Sequence, residues 1–382
     1  MKRGLLAADA DLHVQEPPDL WSKRLPEPYR SATEVRWNAD PHVAAGVRFR
    51  LGPIEYGPYS PLVQRQSRAR LAANRILGAS RTTFSPDLWL EGMDAEGLDV
   101  AALVPTTSLF LGTYDGVPGD HAAAICRVYN DWAYEFAQAA PDRFKLWAWL
   151  PRQAPELAAA EAERCVRDLG AVGVAMTSVA LDGHLLCDSY FEPLWQAVER
   201  LDVPFGVHVF GAIPGLRDDF SERFQGHPGA ELALVAFAGM PQGVSCLAEL
   251  LTGGVLEAHP GLRPVIMEIG ASWLPWLLGR LDESWEKYRP YLEVDLPNTP
   301  SSYFRRQCFV TVDPDETALA YLVRLGLAGN LLLSTDFPHH DSSFPEGVST
   351  FLDLPEVDSD VKRRILWDNP ASLFEFAAPV PA

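Results

Sequence analysis

Short runs of Val, Ile, Leu, Phe and Trp recur along this chain, separated by longer segments in which apolar residues return every three or four positions. The short runs fall near 5–13, 99–105, 144–150, 172–177, 203–209, 264–269, 307–312 and 330–335. Such apolar centres are expected of strands covered on both faces. Between them the spacing predicts amphipathic helices. Over 120–139, Ile125, Val128, Tyr129, Trp132, Ala133 and Phe136 share one helical face. Others are expected over 154–169, 188–200, 231–257, 271–288 and 315–327. A last helix follows Asp360, with Leu373 and Phe374 packing near its end.

Eight strands alternating with helices predict a (β/α)8 barrel in a single domain spanning residues 1–382. A doubly wound sheet is the alternative, but no glycine-rich phosphate loop follows the first strand. The segment 22–85 breaks the pattern. It is rich in Pro, Arg and Gly and too long for a simple strand-to-helix loop. Because it leaves the C-terminal end of strand one, it is expected to be a lid or dimer-contact insertion over the barrel mouth. Insertions at 210–230 and 337–350 leave the same face.

The strand tips carry the candidate chemistry. Strand one reads Asp9-Ala10-Asp11-Leu12-His13, and alternate residues of a strand share a face. Strand five ends in His208, strand six in Glu268, and strand eight in Asp336, followed by Phe337-Pro338-His339-His340. Parallel barrels place their chemistry at the end where these residues lie. Asp9 lies deeper and is expected to hydrogen-bond a neighbouring loop or a basic residue. Asp11, His13, His208 and Asp336 are expected to hold a metal. Two imidazoles with two carboxylates suit Zn2+, or alternatively Mn2+. A bound metal would lower the pKa of a water towards neutrality. Asp336 and Glu268 would then act as proton-transfer groups. An ion pair with an arginine is the competing reading for Glu268.

Composition narrows the partners. With 47% hydrophobic and 22% charged residues the chain is ordinary for a soluble globular protein, and a net charge of −19 argues against a nucleic-acid partner. Cysteines 126, 165, 187, 246 and 308 are odd in number and lack metal-finger spacing, so they read as thiols in a reducing cytoplasm. The Met1-Lys2-Arg3 start followed by Leu5-Leu6-Ala7-Ala8 imitates a signal peptide but is too short and is interrupted by Asp9 and Asp11. The longest apolar region, 232–256, is cut by Pro241, Gln242 and Glu249, so no membrane span is expected. Arg65, Arg68, Arg70, Arg75 and Arg81 form a basic run with no acidic residue between Glu55 and Asp87. It is read either as an anion clamp, with Arg68 as its candidate, or as a set of solvated or interface charges. Trp21, Tyr56, Tyr59, Phe84 and Phe210 would wall an apolar pocket or belong to the core. One of His339 and His340 is expected to face substrate, with His339 the candidate.

Asp9-x-Asp11-x-His13-x-x-Glu16-Pro17 resembles the opening of the amidohydrolase-2 group of the amidohydrolase superfamily, which includes aminocarboxymuconate-semialdehyde decarboxylase and related non-oxidative decarboxylases. Pro141-Asp142-Arg143-Phe144, Phe191-Glu192-Pro193-Leu194-Trp195, His259-Pro260-Gly261-Leu262, Trp273-Leu274-Pro275, Ser334-Thr335-Asp336-Phe337-Pro338-His339 and Asn369-Pro370-Ala371 continue the resemblance in order. It implies a distorted barrel with one divalent metal, His208 and Asp336 taking the strand-five and strand-eight ligand positions. By the group's habit it also implies a homodimer. The strand-one pattern there is usually His-x-His or Glu-x-His; here Asp11 precedes His13. Glu268 stands where many of the decarboxylases carry a histidine. That exchange shifts the expectation towards hydrolysis, with metal-activated water attacking a carbonyl-type carbon. Non-oxidative decarboxylation of an aromatic or unsaturated acid is the alternative. A ligand-binding barrel without turnover is the third reading.

Overall fold

The computed structural model describes residues 2–37, 47–51, 54–56, 61–111, 116–178, 183–209, 224, 227–237 and 239–378. Strand β1 (Ala8–Val14) opens the chain. Three strands, β2 (Thr33–Trp37), β3 (Val47–Leu51) and β4 (Ile54–Tyr56), follow as a separate antiparallel sheet. Then come β5 (Val100–Pro105), β6 (Phe144–Trp149), β7 (Gly173–Thr177), β8 (Pro204–His208), β9 (Arg263–Met267), β10 (Phe309–Val312) and β11 (Leu331–Leu333). These seven and β1 form one parallel sheet in the order β1-β5-β6-β7-β8-β9-β10-β11, with helices between. This is the eight-stranded barrel that the alternation predicts.

The barrel interior is filled by large side chains lodged against glycine. Trp147 points inward from β6 and is fully buried. A Cβ at Gly173 of β7 would lie 2.4 Å from its ring, and one at Gly206 of β8 would lie 2.9 Å from Ala175 and 3.3 Å from the same ring. Only a bare backbone leaves room for the indole. Its Nε1 donates to Ala10 O (3.0 Å), which ties the barrel interior to the middle of β1.

Helices lie at the expected positions, Pro86–Glu96 and Pro300–Gln307 are present without having been expected, and one expected helix differs. The segment 231–257 is not one helix but three, Glu231–Ala236, Met240–Thr252 and Val255–Ala258. Gly239 (φ 72°) and Gly254 (φ 84°) take left-handed conformations between them, which a continuous helix does not allow. By length and composition the stretch Pro228–Thr252 passes for a membrane span, with mean hydropathy 1.4. Its Met240–Thr252 part buries Gly243, Cys246, Leu247, Leu250 and Leu251 and packs against β8 and β9 as a barrel helix.

The segment after β1 holds two short helices, Leu20–Arg24 and Tyr29–Ala32, then the antiparallel sheet and the helices Pro61–Ala73 and Arg75–Ala79. It docks on the loop after β11. Arg70 donates to His340 O (3.2 Å), Ser342 O (2.9 Å) and Phe344 O (3.2 Å), and Gln66 donates to His340 O (3.1 Å).

Two stability predictions follow from this packing. Gly173→Ala drives a methyl group into Trp147 and should destabilise the protein by about 1–3 kcal/mol, read as a lower urea midpoint at unchanged slope. Glu96 is fully buried, and its Oε1 accepts from Val348 N (2.6 Å). Burial pushes its pKa up from 4.5 to about 7. The native state therefore binds this proton more tightly than the unfolded chain. Its contribution is complete below the unfolded value of 4.5 and is lost as pH rises through about 7. Wild type should lose on the order of 3 kcal/mol more than Glu96→Gln between pH 4.5 and 8, measured by urea unfolding at both pH values.

Candidate metal centre

Strand β1 departs from simple alternation. It pairs with β5 as Asp9↔Ala101 and then Leu12↔Leu103, so one extra residue is inserted between them. The bulge separates the fates of the two carboxylates. Asp9 turns to the barrel seam, where it accepts hydrogen bonds from Asp11 N (3.0 Å), Thr335 N (3.2 Å) and the Thr335 hydroxyl. Burial pushes its carboxyl up to about 8 despite these donors. Asp11 and His13 continue into the mouth, both fully buried.

Four strand tips converge there. His208 closes β8, and its Nε2 lies 3.2 Å from His13 Nε2, 3.5 Å from Asp11 Oδ1 and 3.3 Å from Glu268 Oε2. His13 Nε2 lies 3.7 Å from Asp11 Oδ1, 3.6 Å from Glu268 Oε2 and 3.5 Å from Asp336 Oδ1. Glu268 follows β9 and Asp336 follows β11, each with a left-handed backbone (φ 78° and 56°). Such strain in a non-glycine residue persists where the surroundings fix it, and here it places both carboxylates in the mouth. Asp336 Oδ1 is also 2.6 Å from His339 Nδ1, and the His339 ring lies over that of His13 with centroids 4.0 Å apart.

The donor set fits a divalent cation. Both imidazoles use Nδ1 on a backbone carbonyl: His13 on Pro105 O (2.8 Å) and His208 on Val209 O (2.6 Å). This leaves both Nε2 atoms facing the same space, as metal-binding histidines require. Among the described residues Asp11 Oδ1 and Oδ2 and Glu268 Oε2 are buried with no hydrogen-bond partner, and Asp336 Oδ1 lies against the imidazoles of His13 and His339. Buried carboxylate oxygens without partners are costly unless a cation completes them. Two overlapping groups have their ligand atoms within 4.8 Å of one another: Asp11, His13, His208 and Glu268, and His13, Glu268, Asp336 and His339.

The electrostatics show the same excess of negative charge. Burial opposes ionisation of His208, yet Asp11 and Glu268 raise it to about 10. Burial also opposes ionisation of Glu268, but His208 and His13 hold it well below the usual carboxylate range. Asp336 is pushed well above that range by burial, then by Glu268, Asp341 and Asp11. Burial and the neighbouring His13 lower His339 well below the ordinary imidazole value.

The other residues singled out by sequence fall elsewhere. Trp21 is buried in the hydrophobic core. Arg68 is exposed on the helix Pro61–Ala73. Phe210 lies outside the described residues. Two residues of the mouth were missed. Asp313 follows β10 and is pushed up to about 7 by burial and by Glu316 and Glu268. The rule that found Asp336 applies to it too, since an apolar strand ends in a carboxylate. Gln15, two residues beyond His13, is buried and donates to Thr107 Oγ1 (3.1 Å). Nothing in its local sequence marks it.

With the barrel and its mouth described, the comparisons assign the family. The amidohydrolase family profile matches residues 9–376, and the chain belongs to that family. It is 32% identical over 270 residues to a gamma-resorcylate decarboxylase of Rhizobium radiobacter, covering 66% of this chain and 76% of that protein. The fold is shared with an amidohydrolase of Mycobacterium avium subsp. paratuberculosis K-10 (TM-score 0.75, 18% identity, 97% of this chain and 99% of that one). It is also shared with a 5-carboxyvanillate decarboxylase of Novosphingobium aromaticivorans DSM 12444 (TM-score 0.71, 20% identity, 98% and 97%). The latter structure contains manganese and 4-hydroxy-3-methoxy-5-nitrobenzoic acid. Decarboxylases predominate among the relatives of this chain, which favours the carboxy-lyase alternative over hydrolysis, and a divalent metal is supported.

His208→Ala removes one imidazole from the cradle. Purified wild-type protein should carry about one divalent ion per chain, and the variant should lose at least tenfold in affinity for it, read by elemental analysis after dialysis against a chelator.

Proposed function

We propose that this protein is a metal-dependent carboxy-lyase that removes CO2 from a hydroxylated aromatic acid. The observation that carries the reading is the convergence of Asp11, His13, His208 and Glu268, with Asp336 3.5 Å from His13, in a chain similar along most of its length to gamma-resorcylate decarboxylase. Asp11, His13, His208 and Asp336 would hold the ion. The mixed carboxylate and imidazole set suits Mn2+ as well as Zn2+, and manganese in a neighbouring structure favours the former. When bound, the ion supplies Lewis-acid polarisation of the substrate carboxylate and an adjacent oxygen.

The residues then divide the work. Asp336 delivers a proton to the ring carbon that bears the carboxylate. The C–C bond breaks, CO2 leaves, and the electron pair of that bond restores the aromatic ring. His339, on Asp336 Oδ1, orients the carboxyl group and relays the next proton to it, Nδ1 giving its proton to Asp336 as Nε2 takes one from water. The buried surroundings exclude water that would compete for it.

Glu268 supports a second reading. A carboxylate within 3.6 Å of both imidazoles is placed to deprotonate water, which suits hydrolysis of a carbonyl-type carbon. The five free cysteines support function in a reducing cytoplasm. Exposed Trp276, Tyr288 and Tyr291 along and just beyond the helix Leu274–Tyr288 support a homodimer.

The test uses manganese-loaded protein and a panel of ortho-hydroxylated benzoates including 2,6-dihydroxybenzoate, with CO2 release followed directly. Wild type should release CO2, and Asp336→Asn should fall by roughly 10²–10⁴-fold, the usual worth of a positioned acid. If no benzoate loses CO2 while an ester or lactone is hydrolysed, and Glu268→Gln abolishes that hydrolysis, the water reading replaces this one.

A further inference from the structure

Strand β6 carries two tryptophans, Trp147 and Trp149, two positions apart and both fully buried. Alternate residues of a strand share a face, so both project into the barrel. Trp147 stands deep in it, beside Gly206 of β8, with its N–H on Ala10 O. Trp149 lies one step nearer the mouth. It ends β6, and its ring meets that of His208, which ends β8, edge to face with centroids 6.3 Å apart. The indole therefore stands beside a residue of the metal cradle.

Its N–H is unlike those of most buried tryptophans in the molecule. Trp89 donates to His13 O (2.7 Å), Trp195 to Leu186 O (3.2 Å) and Trp273 to Gly270 O (2.9 Å). Trp149 Nε1 is buried and has no hydrogen-bond partner among the described residues. Trp21 Nε1 has none either, but its helix, Leu20–Arg24, packs on the helix Gly119–Ala137 and on β2. A buried donor left unpaired is costly, and an indole N–H inside a protein ordinarily finds an acceptor. The residue is nonetheless held firmly. Asn130, buried on the helix Gly119–Ala137, accepts from Trp149 N (2.7 Å) and donates to Trp149 O (3.0 Å). This clamp fixes the backbone from which the indole projects, at the tip of a rigid strand.

An indole N–H donates and never accepts. It calls for an oxygen with lone pairs to offer and no proton to place. An ortho-hydroxyl of a benzoate is such an oxygen, because its own proton is engaged by the neighbouring carboxylate in an internal hydrogen bond. In the reading above, the ion takes the carboxylate and one adjacent oxygen. An acid hydroxylated on both sides of the carboxylate has a second ortho-oxygen left over.

We propose that Trp149 Nε1 receives that second ortho-oxygen, and that Trp149 thereby selects aromatic acids hydroxylated at both ortho positions over those hydroxylated at one. A site built to hydrogen-bond a hydroxyl discriminates against the analogue that lacks it, since its buried donor is then left unpaired. The inference rests on the acid-substrate reading above, but it concerns binding and not bond cleavage.

It is tested by titration calorimetry on manganese-loaded protein, with 2-nitroresorcinol and 2-nitrophenol. The nitro group stands for the carboxylate, engages the flanking hydroxyl protons in the same way and cannot leave as CO2. Wild type should prefer 2-nitroresorcinol by more than its two equivalent hydroxyls supply through symmetry. Trp149→Phe keeps an aromatic ring and removes the N–H. It should lose about tenfold in affinity for 2-nitroresorcinol and bind 2-nitrophenol and manganese like wild type. Trp149→Met should do the same and covers the case in which the phenylalanine variant does not fold. The proposal is overturned if wild type shows no such preference. It is equally overturned if a folded, manganese-replete variant binds 2-nitroresorcinol like wild type, or loses both ligands alike. A preference that depends on Trp149, without CO2 release from 2,6-dihydroxybenzoate, would leave this inference standing and remove the decarboxylase reading. CO2 release with the preference intact in both variants would do the reverse.

Discussion

One buried carboxylate decides where the two ends of the sheet meet. Among the described residues no backbone ladder joins β11 to β1; Asp9 joins them instead, taking Thr335 N and the Thr335 hydroxyl, while His13 N donates to Phe337 O (2.8 Å). The contact is costly, since burial pushes Asp9 up to about 8. Its effect is positional. Asp336 is the residue after Thr335, and Asp11 donates its own N–H to Asp9. The seam therefore sets the spacing between the first and last strand tips, and with it the shape of the metal cradle.

Within that cradle, charge outweighs hydrogen bonding. Three carboxylates and two imidazoles are crowded at separations of 3.2–3.7 Å, and several oxygens have no protein partner. Packing brings imidazole nitrogens close, His339 Nδ1 among them, but does not satisfy every oxygen. A divalent cation does so at once, and the carbonyls that fix both histidine Nδ1 atoms show the cradle built in advance for it. Glu268 adds a third carboxylate beside Asp11 and Asp336, within 3.6 Å of both imidazoles.

Much of this was legible in the sequence. Strands buried on both faces have a strong apolar signature, so all eight barrel strands could be placed to within a few residues. Ionisable residues at apolar strand ends are rare enough to stand out, which brought Asp11, His13, His208, Glu268 and Asp336 into view. Three things were not legible. The bulge in β1 is one, since the separation of Asp9 from the ligands was expected but neither the extra residue in the strand nor Thr335 as the partner has a local signal. The break of 231–257 into three helices lies in the left-handed glycines, whose conformation depends on what they pack against. Among five arginines, only tertiary packing distinguishes buried Arg81 from exposed Arg68. Asp313 is a different failure, since it satisfied the same rule as Asp336 and was overlooked.

The seam also orders events in time. Asp9 and Thr335 lie 326 positions apart, and the strands they join carry the first and last residues of the cradle. Contacts of such separation form late in folding. During synthesis, Asp11 and His13 emerge long before Asp336 does, so a nascent chain holds only part of the cradle until nearly the whole sequence has left the ribosome. A free divalent ion in the cell meets an incomplete site throughout that interval. Tight capture is therefore tied to completion of the barrel, and a chain truncated before β11 would be left without both its seam and its full set of ligands.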